Sequence, residues 1–340
     1  DDGSQPLVDL LKSLSRLVVM LPKLESISIS GASMPLDVIQ AICQLGGRLK
    51  HLSISNCRWP TFPSNLKTPN LRLRSLRVVG AKWVHRWVDQ FMTFTDALEE
   101  VELDDAFPGT TIKRFPKLKR LSVKEVNPRD TERFCRTLSH CPELEELTIV
   151  EAMMDPTFNK TCLPRLHTLR GNILNCVFIE DRPVETVELS YPTPTPWGQD
   201  VELDIVLRRV LEVCSSGSVP ITSFKMTTGT CGKRYRWGEV EILALIQVFP
   251  YLELLDVDIN PDSFYECTAY AARLTNLRAF CWRLPRTPER LTMEWQVQHK
   301  DALMMIGNLG NTLTNFAFVD GVEWVRGVNG WYALDHLAGS

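Results

Sequence analysis

Apolar and polar residues alternate along the chain in short blocks that share one form. The first block, Leu24-Glu-Ser-Ile27-Ser-Ile29, has apolar residues at its first, fourth and sixth places. Alternation with a period of two predicts a short strand with one buried face in each block. The form recurs eleven more times, with one departure at a glycine, at Leu49/Leu52/Ile54, Leu73/Leu76/Val78, Leu98/Val101/Leu103, Leu118/Leu121/Val123, Leu144/Leu147/Ile149, Leu166/Leu169/Gly171, Val184/Val187/Leu189, Ile221/Phe224/Met226, Leu252/Leu255/Val257, Leu277/Phe280/Trp282 and Leu313/Phe316/Phe318.

The spacing of the blocks indicates a structural repeat. From 24 to 313 the starts cover 289 residues in eleven intervals, about 26 residues each, and three later intervals stretch to 37, 31 and 36 residues through insertions. The flanks are shared as well. The place eight residues after the first leucine is small at Ala32, Cys57, Ala81, Ala106 and Ala152. The place three residues before it is apolar or cysteine at Leu21, Phe115, Cys141, Leu163, Phe249 and Leu274. This period is typical of leucine-rich repeats.

Segments with helical periodicity lie between the strands. Ser33-Met34-Pro35 predicts a helix start with Ser33 as the N-cap, and Gly46-Gly47 predicts its end. Asn127-Pro128 repeats this start. Apolar stripes follow at Val38, Ile39, Ile42 and Leu45, at Val84, Trp87, Val88 and Phe91, at Phe134, Cys135 and Leu138, at Val206, Val210 and Val213, and at Ile242, Leu243 and Ile246. The pattern predicts an α/β leucine-rich-repeat solenoid of about twelve irregular repeats, with a curved parallel sheet on the concave face and helices outside.

The predicted organisation is one domain over residues 1–340. A solenoid needs covered ends. A capping helix is predicted within 1–21, the repeats within 22–320, and a C-terminal cap within 321–340, where Trp324, Trp331 and Tyr332 are available to cover the last repeat.

Composition narrows the class of protein. With 44% hydrophobic and 23% charged residues, the 340-residue chain is expected to fold. A formal net charge of -3 argues against a nucleic-acid partner, which requires a basic stripe. No apolar stretch approaches the roughly 18 residues of a membrane span, so no membrane association is predicted. The first residues lack the charged and apolar regions of a signal peptide.

The ten cysteines are scattered, and no two form a C-x-x-C pair. They predict neither a metal site nor a disulfide framework. Buried free thiols in a reducing compartment fit this spacing, so an intracellular location in cytoplasm or nucleus is expected.

Catalytic motifs are not evident, and the prediction is a non-enzymatic chain without catalytic residues, cofactor or metal. Gly229-Thr-Cys-Gly232-Lys233 lacks the glycine spacing and the hydroxyl of a phosphate-binding loop. The six histidines show no i, i+4 pair. Lys233-Arg-Tyr-Arg-Trp237 is interpreted as a solvated loop with Trp237 under the next helix, the alternative being an anion contact. The proline-rich stretch 191–198 is interpreted as a rigid spacer.

The residues that alternate with the buried ones are the candidate binding residues, because they point away from the core. The predicted set is Glu100, Glu102, Asp104, Asp105, Arg120, Lys124, Arg170, Lys225, Asp256, Asp258 and Arg283. An acidic repeat lies beside a basic one, with Glu102 and Asp104 against Arg120 and Lys124. This charge step could steer a partner and fix its register. The alternative is that the charges pair with each other across the strands.

Two blocks carry a more specific resemblance. Cys141-Pro-Glu-Leu144-Glu-Glu-Leu147-Thr-Ile149 and Leu49-Lys-His-Leu52-Ser-Ile54-Ser-Asn-Cys57 resemble the cysteine-containing leucine-rich repeats of F-box proteins, including the fungal F-box-like repeat proteins. The resemblance implies a protein-interaction scaffold that recognises substrates for a cullin-RING ubiquitin ligase. It further implies a protein partner on the concave face and a cullin adaptor bound through a module missing from this chain. The F-box itself is not visible, since Leu21-Pro22 is followed by Lys23 and belongs to the first repeat.

Two other functions stay open at this stage. The first is an interaction or regulatory scaffold unrelated to ubiquitination. The second is a small-molecule receptor or enzyme that uses the loops at 191–198 and 229–237 of the irregular repeats.

Overall fold

A computed structural model describes residues 20–21, 23–61, 71–80, 85–92, 96–106, 114–151, 162–190, 203–227, 237–258, 263–282, 300, 304, 307, 312–318, 322–328 and 330–335. Contacts between residues divide the chain into two units, Asp1–Leu166 and His167–Ser340. The predicted capping helix at 7–20 lies almost wholly outside the described residues, as do the loops at 191–198 and most of 229–237.

The first unit contains six strands that pair in parallel, each with the next in the chain. The strands are β1 (Ser26–Ser30), β2 (His51–Ser55), β3 (Ser75–Val79), β4 (Glu100–Ala106), β5 (Arg120–Glu125) and β6 (Glu146–Ile149). Between them lie α1 (Leu36–Gln44), α2 (His85–Phe91) and α3 (Thr131–Leu138), with 3-10 turns at Gly46–Arg48 and Pro128–Asp130.

The second unit continues with six parallel strands and closes with an antiparallel hairpin. The strands are β7 (Thr168–Asn172), β8 (Thr186–Ser190), β9 (Ser223–Thr227), β10 (Leu254–Val257), β11 (Ala279–Trp282), β12 (Asn315–Phe318), β13 (Val322–Gly327) and β14 (Gly330–Asp335). Its helices are α4 (Leu203–Ser215), α5 (Glu239–Val248) and α6 (Phe264–Ala271), and a 3-10 helix covers Ile173–Ile179. The predicted α/β class with a mostly parallel sheet is confirmed.

The register of the strands follows the sequence blocks. In the first unit the fourth places lie opposite one another in the order Ile27, Leu52, Leu76, Val101, Leu121 and Leu147. In the second unit the order is Leu169, Val187, Phe224, Leu255, Phe280 and Phe316. All twelve predicted strands are therefore present, and equivalent apolar residues stack in rows across each unit.

These rows form the core. From the second block to the twelfth, the residues at the first and fourth places are all buried, with at most 4% of their surface exposed. The first block differs because Leu24, Ile27 and Ile29 are only half-buried. Full burial of one such side chain stabilises the fold by about 1.5–3 kcal/mol. The repeated apolar places therefore account for the packing of every strand after β1.

Most residues of the predicted apolar helix stripes that the structure describes are buried, with two corrections to the predicted details. Ser33 is not the N-cap of α1; it forms a parallel bridge with Arg58, so its backbone is extended and the helix starts only after Pro35. In α5 the most buried residues are Ile242 and Leu245, while Leu243 and Ile246 of the predicted stripe are half-buried. A stripe drawn from apolar residues alone does not fix which side of the helix meets the sheet.

The turns that leave β1, β2 and β3 share one backbone conformation. Gly31, Asn56 and Gly80 occupy the same place in successive blocks and have φ values of 67°, 51° and 67°. The amide of Gly31 donates to the carbonyl of Ser55 at 3.0 Å, and that of Asn56 to Val79 at 2.8 Å. Each turn is thereby joined to the following strand. Only glycine and, less readily, asparagine adopt this left-handed conformation without a large steric cost.

Two separate substitutions, Gly31→Ala and Gly80→Ala, test the backbone conformation of these turns. We expect Gly31→Ala to cost about 1–2 kcal/mol, because its left-handed backbone disfavours a side chain although no atom lies within 4 Å of the added carbon. Gly80→Ala should cost about 1–3 kcal/mol more, because its added carbon would lie 2.0 Å from Oδ1 of Asn56. Urea unfolding of both variants measures the difference. Adding Asn56→Gly to Gly80→Ala should recover part of the loss; equal costs at the two glycines would contradict the contact.

Candidate protein-binding surface

The outward side chains of the strands form a second set of rows, which we call the outer strand face. In the first unit one row runs through Ser75, Glu100, Arg120 and Glu146, opposite one another on β3 to β6. A parallel row holds Arg77, Glu102, Ser122 and Thr148. All eight are exposed or half-exposed. Neighbouring strands lie about 4.8 Å apart, so a partner laid across them meets a closely spaced array of polar groups.

The predicted acidic and basic residues of this face are joined by ion pairs across the strands. Arg120 pairs with Glu100, and Arg77 with Glu102 at 3.1 Å. These four side chains are 42–54% exposed. An exposed ion pair contributes only about 0–1 kcal/mol to stability. The charges therefore pair with one another across the strands, which is the alternative that the sequence left open, and their side chains remain exposed to solvent.

Other predicted residues of the first unit have different environments. The carboxylate of Asp104 accepts a hydrogen bond from the amide of Gly80 at 3.2 Å, so it satisfies a backbone group of the preceding turn. Lys124 is exposed, and its carbonyl accepts from the amide of Glu151 at 2.7 Å. The side chain of Asp105 lies outside the described set.

The second unit carries a row of alternating charge. Arg170, Glu188, Lys225 and Asp256 lie opposite one another on β7 to β10. Arg170 pairs with Glu188 at 3.2 Å, and Lys225 with Asp256 at 3.9 Å. In both units, therefore, charged residues of the outer strand face form ion pairs with residues at the equivalent place on the neighbouring strand.

Two outward places of the second unit are buried, contrary to the alternation. Asp256 is 4% exposed and Thr168 is 5% exposed. Asp256 is therefore not available to a partner in this conformation, although its place on the strand predicts exposure. Asp258 is half-buried, and its carbonyl accepts from the amide of Trp237 at 2.7 Å. Arg283 lies outside the described part of the chain.

A pair of carboxylates lies where β5 and β6 end. Partial burial, the neighbouring charge of Glu125 and a hydrogen bond with its side chain raise the pKa of Glu151, while Lys124 lowers it. The pair is adjacent to the predicted charge step. Sequence reasoning missed it, because Glu125 and Glu151 approach only once their strands are aligned.

Most of the cysteines that the structure describes are part of the core. Nine of the ten lie in described residues and form no disulfide with one another, and seven of these are buried. Burial raises the pKa of the Cys43 and Cys176 thiols to about 11 and that of the Cys141 thiol to about 12. Such thiols are protonated near neutral pH, and a protonated thiol is a poor nucleophile and metal ligand. The expectation of buried thiols is met at the seven buried positions.

Trp237 is fully buried and packs edge-on against Phe224, with ring centres 6.0 Å apart. Its predicted burial is thereby confirmed. A groove of about 280 Å³ lies nearby, between the turns that lead into β9 and β10, and uncharged residues of 214–221 and 248–251 line it. Tyr251 stands on its rim with 56% of its surface exposed.

Two further features of the described residues bear on the kind of site they could form. No three histidine, cysteine or carboxylate side chains among them are grouped as a metal site would need. None of the helices in those stretches is both long and apolar enough to cross a membrane.

No protein-family model matches the chain, and no curated protein matches it.

The carboxylate pair generates a pH prediction. A raised pKa means that the folded state binds the Glu151 proton more tightly than the unfolded state does. Protonated Glu151 therefore stabilises the folded state at low pH. This contribution is lost as the pH rises through the pKa that Glu151 has in the folded protein. Glu151→Gln should raise the thermal midpoint at neutral pH, and the gain should vanish below the pKa of an unfolded glutamate.

Glu132→Gln is the control, because Glu132 pairs with Arg136 on α3 rather than facing a carboxylate. It should not raise the midpoint at neutral pH. If the thermal midpoints of wild type and Glu151→Gln differed by the same amount at every pH, the result would contradict the carboxylate interaction.

Proposed function

We propose that this chain is a leucine-rich-repeat scaffold that binds a protein partner on its outer strand face. The observation that carries the proposal is the register that the six parallel strands of each unit share, because it sets outward side chains at fixed intervals across that unit. Repeat proteins use such extended rows for recognition, since many weakly interacting groups are held in place before binding.

The charges of the face are suited to selecting a partner. The ion pairs of this face are exposed enough to solvent that a partner can replace one member of a pair with its own group; they involve Glu100, Glu102, Arg77 and Arg120. Complementary charges accelerate encounter and reject wrongly charged partners more than they add affinity. We therefore expect specificity to depend on the order of charges along the rows.

The narrower form of the proposal is the substrate-recognition part of an F-box-type ubiquitin ligase. It rests on the resemblance of the two cysteine-containing blocks. Their thiols occupy tight backbone positions: Sγ of Cys57 is 3.3 Å from the carbonyl oxygen of Ser55, and Sγ of Cys141 is 3.3 Å from that of Thr137. Small buried thiols at repeated turns fit that subtype. A reducing compartment is proposed as well, because the nine described cysteines form no disulfide with one another.

Affinity capture with the full-length gene product tests the proposal. The face variant carries Arg77→Ala, Glu100→Ala, Glu102→Ala and Arg120→Ala, which removes two ion pairs and leaves the net charge unchanged. The control variant removes two pairs from the helices, with the same net charge, through Glu132→Ala, Arg136→Ala, Arg209→Ala and Glu212→Ala. We expect a protein recovered with wild type and control to fall at least about tenfold with the face variant, equivalent to roughly 1.4 kcal/mol.

Equal recovery with all three proteins would contradict binding on the outer strand face. A cullin adaptor recovered with all three would support the ligase role, since the substitutions leave the adaptor-binding module unchanged. Its absence from every sample would remove that role and leave the scaffold.

A further inference from the structure

Basic residues recur along the N-terminal edge of the strands in the first unit. The residue directly before the first leucine of a block is lysine or arginine in five of the seven blocks from Leu24 to Leu166. All five are exposed; they are Lys23, Arg48, Arg72, Lys117 and Arg165. The residue directly after the same leucine forms a second row, in which Lys50, Arg74 and Lys119 are basic.

Backbone hydrogen bonds fix the spacing of the second row. The amide of Lys50 donates to the carbonyl of Glu25 at 2.8 Å, that of Arg74 to Lys50 at 2.7 Å, and that of Glu99 to Arg74 at 2.8 Å. Successive members therefore lie one strand apart, about 4.8 Å. Lys50 and Arg74 are neighbours on adjacent strands.

The first row lies beside them. A carbon added at Gly47 would lie 4.0 Å from Cδ of Arg72, so Arg72 reaches back over the turn that precedes Arg48. Arg48, Lys50, Arg72 and Arg74 thus form one patch from two consecutive repeats. We call it the basic edge.

The charges of the basic edge are weakly neutralised. Arg72 lies 3.8 Å from Asp96 and Arg74 lies 4.0 Å from Glu99, and the two arginine side chains are 57% and 61% exposed. Ion pairs this long and this exposed contribute little, so exchanging one for another carboxylate costs little.

The other two cations have neutral acceptors. Nε of Arg48 donates to the carbonyl of Leu45 at 3.4 Å, and Nζ of Lys50 donates to that of Gly47 at 2.7 Å. A carbonyl oxygen orients a cation without cancelling its charge. Arg48 and Lys50 therefore keep their positive charges on a chain whose formal net charge is -3.

We propose that the basic edge binds an acidic segment of the protein partner. The proposal rests on the proposed scaffold function and adds the chemistry of the partner. Arginine guanidinium groups hold carboxylates through two parallel hydrogen bonds, and a row of cations one strand apart attracts a run of carboxylates before contact is made. The acidic segment would lie along the edge while neighbouring parts of the partner meet the outer strand face.

An acidic protein segment fits the edge better than a nucleic acid does. Glu25, Asp96 and Glu99 stand among the four cations, and a continuous phosphate backbone would face these carboxylates as well. Carboxylates in a protein segment can be spaced by neutral residues to avoid them. Nucleic-acid binding depends on an uninterrupted basic stripe.

Binding of fluorescent poly-L-glutamate to the full chain tests the proposal. The edge variant carries Arg48→Gln, Lys50→Gln, Arg72→Gln and Arg74→Gln. The matched control removes four exposed arginines from α3 and α4, through Arg133→Gln, Arg136→Gln, Arg208→Gln and Arg209→Gln. At low salt, wild type and control should bind, the edge variant should bind at least about tenfold more weakly, and added salt should weaken wild-type binding.

Three results would overturn the proposal: no binding by wild type at low salt, equal binding by the edge variant, or tighter binding of single-stranded DNA than of poly-L-glutamate through the same residues. The face variant described above separates this proposal from the proposed function. It should bind poly-L-glutamate as wild type does. Loss of partner capture by the face variant, with no poly-L-glutamate binding to any protein, would leave the scaffold in place and remove only the acidic segment.

Discussion

The structure depends on one constraint: a strand of four to seven residues with a single apolar face cannot bury that face alone. Each strand does so only when its neighbours present equivalent apolar residues at the same height. The rows Ile27–Leu147 and Leu169–Phe316 are the result, and from the second block onward their members are at most 2% exposed. A shift of one residue in any strand would turn its apolar places outward, so the same burial that stabilises the strands also fixes their register.

The outward rows follow from this register. Once Leu76, Val101 and Leu121 are aligned, Arg77 must lie beside Glu102, and Glu100 beside Arg120. The ion pairs are therefore a consequence of core packing and contribute little to it. The turns obey the same geometry, because Gly31, Asn56 and Gly80 must reverse direction at one place in each repeat and hydrogen-bond to the next strand. Function, as proposed, uses side chains whose positions the core has already determined.

The alternation of apolar and polar residues along the chain predicts the strands. It does not predict the environment of a side chain where that environment depends on segments distant in sequence. The period of two around Leu147 or Val187 identified each strand, because strand burial depends on alternation within a few residues. The cap assigned to Ser33 was wrong, since a bridge to Arg58, 25 residues away, holds it extended. The burial of Asp256 and the contact between Glu125 and Glu151 were likewise invisible, because both depend on which segments lie alongside. The residues of the basic edge were present in the sequence, directly before and after Leu49 and Leu73, but they became a patch only through the strand alignment.

The central claim is that buried and outward places alternate along the strands of the first unit, and β6 tests it most directly. Leu147 is fully buried and Thr148, the next residue, is half-exposed on the outer strand face. The free energy of unfolding should fall by about 2–5 kcal/mol for Leu147→Ala, and change by no more than about 0.5 kcal/mol for Thr148→Ala. Equal losses at the two positions, or a larger loss at Thr148, would contradict the register on which the core, the outer strand face and the basic edge all depend.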